Sequence, residues 1–198
     1  MNPTLSHDLS RMLVVYVHVI SCAIAIGFAF FADYRILKAR GQPRSRDIEV
    51  VEQVSDFVAL ALAALWASGI AIVLIDFGHI PALSELWAKP KLMAKLVVVG
   101  TLTLNGVFLH LYALPRLRQI NLAAALMGGV SAASWLFAVF LGVGKPLAAL
   151  FTLNQFLALY ALALLGGVGA ASWVFRRHAA GAAPQASVWA PTLVLDGR

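Results

Sequence analysis

A histidine lies inside the first long apolar stretch of the chain, where an ionisable side chain is unexpected. His18 is followed four residues later by Cys22. Ala25, Ala29 and, slightly round the helix, Asp33 continue the same face of mostly small residues. Ionisable groups in membrane spans mark ion pathways, proton relays or ligand sites. The face can admit a flat ligand, and the pattern therefore predicts that His18 binds haem or copper, with Cys22 as a weaker metal donor.

The plainer alternative for His18 is purely structural. The imidazole would then donate a single hydrogen bond to a carbonyl or a serine hydroxyl on a neighbouring helix. Cys22 would be a small buried apolar side chain, as most free cysteines are.

A second intramembrane histidine, His110, lies near the far end of its own helix. Counted from the surface close to His18, the two histidines differ in depth by on the order of 15 Å, at ~1.5 Å of rise per residue. They are therefore not expected to hold one iron from opposite faces. Two separate sites, one near each membrane surface, are the arrangement that this spacing allows.

Carboxylates are expected to gather near His110 at the inner surface. Asp33 ends the first apolar helix, and Asp56 lies within the apolar part of the second. Carboxylate and imidazole donors suit a divalent metal or a point where protons enter the membrane. Asp33, Asp56 and His110 are therefore predicted to form a metal site or part of a proton relay. The alternative is a salt-bridge collar in which Asp33, Glu49 and Asp56 meet Arg35, Arg44 or Arg46.

On the outer side, a loop histidine is the candidate second ligand. His79 lies between the second and third apolar segments, from where it could fold over His18. His7, in the amino-terminal segment, is the substitute. Both are also explained as solvated loop histidines.

The elements that must position these residues are membrane helices. Of the 198 residues, 61% are hydrophobic and only 12% are charged, which is typical of a chain that is solvated by lipid. Five segments are long enough to cross a bilayer, and none alternates as barrel strands do. They are residues 12–37, 50–75, 92–114, 122–143 and 147–175. We predict an all-α bundle as a single domain over 1–178, followed by a flexible cytoplasmic tail over 179–198.

The net charge of +6 arises from basic residues that set topology, so no nucleic-acid partner is expected. One side of the membrane carries more of them than the other, which predicts an outer amino terminus and a cytoplasmic carboxyl terminus. A multi-pass protein of the bacterial inner membrane is the expected location. The residues of the more basic side are Arg35, Lys38, Arg40, Arg44, Arg46, Arg116, Arg118, Arg176 and Arg177.

Related strings occur in the last two spans, Leu-Met-Gly-Gly-Val-Ser-Ala-Ala-Ser-Trp at 126–135 and Leu-Leu-Gly-Gly-Val-Gly-Ala-Ala-Ser-Trp at 164–173. They have the form of an internal repeat, but small residues at helical spacing also recur wherever two membrane helices approach closely. Gly128 with Ala132, and Gly166 with Ala170, have this spacing. The strings therefore predict packing helices, and they leave a homodimer seam open.

Two motifs of spans one to three carry a resemblance to a known family: Val17-His18-Val19-Ile20-Ser21 with Gly27 and Arg35, and Trp87-Ala88-Lys89-Pro90-Lys91 followed by Lys95. With these motifs, the three spans resemble a superfamily of small bacterial membrane proteins that contains the copper-resistance D-type proteins and the membrane protoporphyrinogen oxidase. It implies haem b or copper binding, with His18 as the early histidine and Lys95 as the lysine that opens a later helix.

Three functions remain open at this point. The first is a haem b protein for electron transfer or porphyrin-linked oxidation, with a redox partner or a quinone. The second is a transporter of a metal cation or protons that uses His18, Asp33, Asp56 and His110. The third is a structural assembly subunit whose functional surface is the glycine- and alanine-rich strings. Phosphate-loop, Cys-x-x-Cys, His-Glu-x-x-His and nucleophile-elbow patterns do not occur, so catalysis of the soluble type is not expected.

Overall fold

The computed structural model of the chain describes residues 3–38, 45–113, 122–144 and 146–181. Within these ranges every regular element is helical. The helices are α1 (Pro3–Lys38), α2 (Ser45–Phe77), α3 (Leu83–Trp87), α4 (Pro90–Phe108), α5 (Leu122–Val143), α6 (Leu147–Leu150) and α7 (Leu153–Gly181), and a π-helical turn over Leu109–Ala113 extends α4. Five of them, α1, α2, α4, α5 and α7, are long and apolar enough to cross a membrane. The all-α class is therefore confirmed, and so are five helices with the length and composition of membrane spans.

The first helix begins well before residue 12, the predicted start of the first span. The added turns of α1 are attached to the end of α2. Arg11 Nε donates to Asp76 Oδ1 at 2.7 Å, and His7 Nε2 lies 3.4 Å from the carbonyl oxygen of Ile75. These polar contacts between distant residues explain why hydropathy alone sets the boundary too late.

The connection from α2 to α4 is short, and helix-capping interactions fix where each of its helices begins or ends. Gly78 ends α2 with a φ of 72°, in the left-handed region that glycine adopts most readily. The carboxylate of Glu85 accepts the backbone N–H of Ala82 at 3.2 Å, which caps the short helix α3. Pro90 then opens α4, where its missing N–H costs nothing. These caps place the start of α4 beside the end of α2.

The last span begins at Leu153 and not at the predicted residue 147. Phe151 is extended, with φ −112° and ψ 135°, so the short helix α6 does not continue into α7. The side chain of Gln155 accepts from both the backbone N–H of Thr152, at 2.8 Å, and its hydroxyl, at 3.1 Å. A side chain at the third helical position that reaches back in this way is half of a capping box and fixes the start of a helix.

The helices form two groups that meet in one apolar core. α1 packs along α2, while α5 packs along α7 and α4 lies against both α5 and α7. Ala25 of α1, Leu65 of α2, Val98 of α4 and Phe156 of α7 are all buried within a single cluster. Polar contacts add to this core, since Asn105 of α4 donates to the carbonyl oxygen of Met127 at 3.1 Å.

The glycine strings pack against each other inside one chain. A Cβ added at Gly129 would lie 2.6 Å from the carbonyl oxygen of Gly167, and one added at Gly167 would lie 2.8 Å from Cβ of Ala133. Gly129 with Ala133 and Gly167 with Ala171 therefore form the α5–α7 contact. The predicted pairs were one residue out of register, and the strings serve packing within the chain, so they give no support to a homodimer seam.

The carboxyl end of the described structure is helical up to Gly181. The predicted flexible tail begins at 179, so its first three residues belong to α7. Residues 182–198 lie outside the described residues, as does Arg44, one of the predicted collar residues.

Candidate ligand site at His18

A serine on the neighbouring helix orients the imidazole of His18. Nδ1 of His18 lies 2.9 Å from Oγ of Ser68. The hydroxyl proton of Ser68 is directed at the carbonyl oxygen of Ala64, 2.6 Å away, so the serine oxygen accepts and Nδ1 of His18 donates. The network thus assigns the proton to Nδ1 and leaves the electron pair on Nε2. No described residue forms a hydrogen bond with Nε2.

The ring lies close to the backbone of α2 because a glycine follows the serine. A Cβ added at Gly69 would lie 3.6 Å from Cε1 of His18 and 3.9 Å from its Nδ1. The hydrogen bond is the one that the structural alternative for His18 describes. The same bond is also the arrangement that orients a metal-binding histidine, whose second nitrogen is then directed at the metal.

A lysine of the third span is close to this imidazole. The charge of Lys95 is near enough to interact with His18, and it also interacts with Asp76. Lys95 itself is exposed at the surface of the bundle. Asp76 is paired with Arg11 at 2.7 Å, with 37% of its side chain exposed. The two residues that the family resemblance singles out, His18 and Lys95, thus interact electrostatically, and no hydrogen bond joins their side chains.

The small-residue face below His18 is covered by protein. Ala25 is completely buried, and Cys22 and Ala29 pack against the same apolar cluster. The small residues thus let the helices approach one another and do not leave an open slot. Cys22 is a partly buried free thiol among apolar groups, which corresponds to the alternative given for it.

His79, the predicted second ligand, bonds within its own loop. Its Nδ1 lies 2.9 Å from the carbonyl oxygen of Phe77, and its Nε2 lies 3.0 Å from Oε2 of Glu85. Both ring nitrogens are thus engaged by partners within this loop. In this arrangement neither nitrogen offers an electron pair to a metal beside His18.

At the end of the bundle away from His18, His110 meets α2 from the π-helical turn. Its Nδ1 lies 3.2 Å from Oγ of Ser55, and its Nε2 lies 3.9 Å from Oδ1 of Asp56. Half of the His110 side chain and 77% of that of Asp56 are exposed. Two of the three predicted members of the inner site, Asp56 and His110, are therefore adjacent at the surface of the bundle.

Asp33, the third predicted member, lies at a different contact. Its Oδ1 is 3.6 Å from the position of a Cβ added at Gly128, which places the carboxyl between α1 and α5. The collar that does form pairs Arg35 with Asp47, at 2.7 Å. The sequence reasoning did not single out Asp47, although its place in the first turn of α2 is a position that favours acidic residues.

The two histidines bond serines on the same helix, α2, so the separation of these serines gives their difference in depth. His18 bonds Ser68 and His110 bonds Ser55, both on this helix. The separation of these serines along α2 corresponds to about 20 Å at 1.5 Å per residue. A single iron held by both histidines does not fit this distance. Within the described residues there is also no cluster of three or more His, Cys, Asp or Glu side chains that could hold a metal ion.

The sequence reasoning missed Ser68 and Gly69, which support His18. The sequence does contain a signal for these two residues. A serine followed by a glycine occurs in the middle of an otherwise apolar span, at the same depth as His18. No protein-family model, curated protein or solved structure matches the chain. The resemblance to the copper-resistance D-type group therefore stays a prediction.

Proposed function

We propose that this protein binds haem b through Nε2 of His18 and serves electron transfer or a porphyrin-linked oxidation. The observation that carries the proposal is the direction of the bond between His18 and Ser68. It leaves a neutral, oriented imidazole whose free electron pair is a good ligand for iron. Haem supplies one-electron chemistry, with a potential that the axial ligand and its surroundings adjust.

Lys95 supports haem over a bare metal ion. Its ammonium group is exposed on α4 and interacts electrostatically with His18, and a lysine there suits a ligand that carries carboxylates of its own, as the propionates of haem do. Copper needs further soft or imidazole donors, and the nearby Cys22 packs into the apolar core. Copper at the same nitrogen is therefore the second choice.

Under this proposal the protein lies in a bacterial inner membrane, with the His18 end of the bundle at the outer surface. The support is the excess of Arg and Lys at the opposite end, where α1 and α7 finish and α2 begins. The ligand would then exchange electrons near the outer surface with a redox protein or with a quinone in the bilayer.

Purification of the full chain tests the proposal. The protein is expressed in haem-replete cells and extracted in mild detergent, and visible spectra are recorded before and after dithionite. We expect a Soret band, with α and β bands on reduction, and a pyridine haemochrome typical of haem b at up to one haem per chain. Elemental analysis of the same sample measures iron and copper.

Two results would contradict the proposal. One is a folded, colourless protein that also fails to take up haem added in detergent. The other is copper at stoichiometric amounts without iron, which would favour the second choice for the same nitrogen.

A further inference from the structure

The carboxyl group of Asp33 has a place in the bundle that the haem proposal does not use. Asp33 lies one and two helical turns after Ala29 and Ala25, so it continues the side of α1 that faces the bundle. Ala25 on this side is completely buried. The side chain of Asp33 is partly buried, and its Oδ1 faces Gly128 of α5.

Among the described residues, no cation pairs with this carboxyl. The nearest arginine along the chain, Arg35, is two residues on, so it projects from another side of α1, where it pairs with Asp47 at 2.7 Å. Within the described ranges Asp33 forms neither a hydrogen bond nor an ion pair. An unpaired carboxylate that is partly withdrawn from water is costlier than the neutral acid in the same place.

Over residues 3–38, 45–113 and 122–144, the helices packed around Asp33 supply no charge that bonds its carboxyl. Helix α5 carries no titratable residue over Leu122–Val143. The charged groups of α1 and α2 at this end, none of which bonds Asp33, are Arg35, Lys38, Arg46, Asp47, Glu49, Glu52 and Asp56. Asp56 contacts His110, and its side chain is mostly exposed.

We propose that Asp33 is a proton-binding site inside the membrane, at the contact of α1 with Gly128 of α5. The acid form carries the proton on its O–H, and release gives a carboxylate and a proton that passes to water at the inner end of the bundle. This step needs no ligand at His18, so the site stands or falls independently of haem binding. It gives the chain a group that can carry a proton at the contact of two helices, beside the Arg35–Asp47 ion pair.

A lipid-soluble carbodiimide tests the site. Dicyclohexylcarbodiimide reacts with a carboxylic acid, whose O–H adds across a C=N bond, and the adduct rearranges to a stable N-acylurea without loss of any atom. The full chain is reconstituted in phosphatidylcholine vesicles and labelled, and the modified residue is located by mass spectrometry. We expect the adduct on Asp33, with loss of labelling as the buffer is made more alkaline. Asp33→Asn should abolish it, and Asp56→Asn should leave it unchanged.

A water-soluble carbodiimide with an amine nucleophile gives the reverse pattern. It should modify the exposed Asp56 and spare Asp33. Circular dichroism of each variant confirms that the helices are formed. Labelling of Asp56 in preference to Asp33 by the lipid-soluble reagent, or labelling of Asp33 that does not change with pH, would overturn the proposal. A folded wild type that remains unlabelled in acid would also overturn it.

Two equivalent glycines of the related strings provide a matched pair. Gly128 faces the carboxyl of Asp33, whereas a Cβ at Gly166 would meet nothing within 4 Å. Gly128→Leu should fill the space beside the carboxyl and sharply slow its labelling. Gly166→Leu should label as the wild type does. Equal labelling of the two variants, both folded, would contradict a site at the α1–α5 contact.

Discussion

The two intramembrane histidines have similar partners and opposite chemical settings. His18 is half-buried and bonds Ser68 through Nδ1, and no described residue bonds its Nε2. His110 lies on a π-helical turn with half of its side chain exposed, and its two nitrogens face Ser55 and Asp56. The comparison shows that a serine beside a histidine does not by itself make a ligand site. What distinguishes His18 is that one nitrogen is fixed and the other is left open.

The largest expected effect is on bound haem when each histidine is removed. His18→Ala deletes the iron ligand of our proposal, so the purified protein should lose its Soret band altogether. His110→Ala should retain the haem content of the wild type. Pyridine haemochrome assays of both variants, normalised to protein, make the comparison. Loss of haem in His110→Ala alone would reverse the roles that we assign to the two ends.

The second effect concerns the serines that face the histidines. Ser68→Ala removes the acceptor for Nδ1, so the ring loses its orientation and its preferred tautomer. Loss of such a supporting bond lowers metal affinity by about 10- to 100-fold. Ser55→Ala should leave affinity unchanged. Haem titration of the two apo-variants measures their affinities. Equal haem affinities of Ser68→Ala and Ser55→Ala would show that the bond to Ser68 has no part in ligation.

A smaller effect is expected from the charge beside His18. Lys95→Met keeps the length of the side chain and removes its interaction with a carboxylate of the ligand. An exposed ion pair contributes up to about 1 kcal/mol, which corresponds to an affinity loss of about fivefold or less. The loss should shrink at high salt. Lys89→Met is the control, since its ammonium lies over the ring of Phe77 at 3.7 Å.

The smallest effect is expected at the glycine under the His18 ring. A methyl group at Gly69 would contact Cε1 at 3.6 Å, an ordinary van der Waals distance, so Gly69→Ala should keep its haem. Gly106→Ala, where a Cβ meets nothing within 4 Å, is the control for glycine replacement in a helix. Haem loss in Gly69→Ala alone would indicate that close approach of α1 to α2, and not the free nitrogen, decides binding.

Much of the architecture could be predicted because lipid imposes it. Five apolar segments of sufficient length predict five helices, since only intrahelical bonds satisfy an isolated apolar backbone in a membrane. The separation of His18 from His110 was predicted for the same reason, because the rise of a helix is fixed.

Register and end contacts could not be predicted, because they depend on the partner helix. One residue turns a helix by about 100°, so composition alone did not separate Gly128 from Gly129 as the packing glycine. The related tryptophans show the same dependence. Trp135 of α5 is 2% exposed and Trp173 of α7 is 55% exposed, although the strings around them are nearly identical. Burial here follows the position of the helix in the bundle.

Direct ligation by His18 is tested by replacing the ring and then supplying it from solution. In His18→Gly, the side chain is absent and the space that it occupied is open to a small molecule. We predict that reduced, haem-treated His18→Gly lacks the α and β bands of the wild type, and that added imidazole restores them. A wild-type spectrum in His18→Gly without imidazole would contradict the proposal that His18 holds the iron.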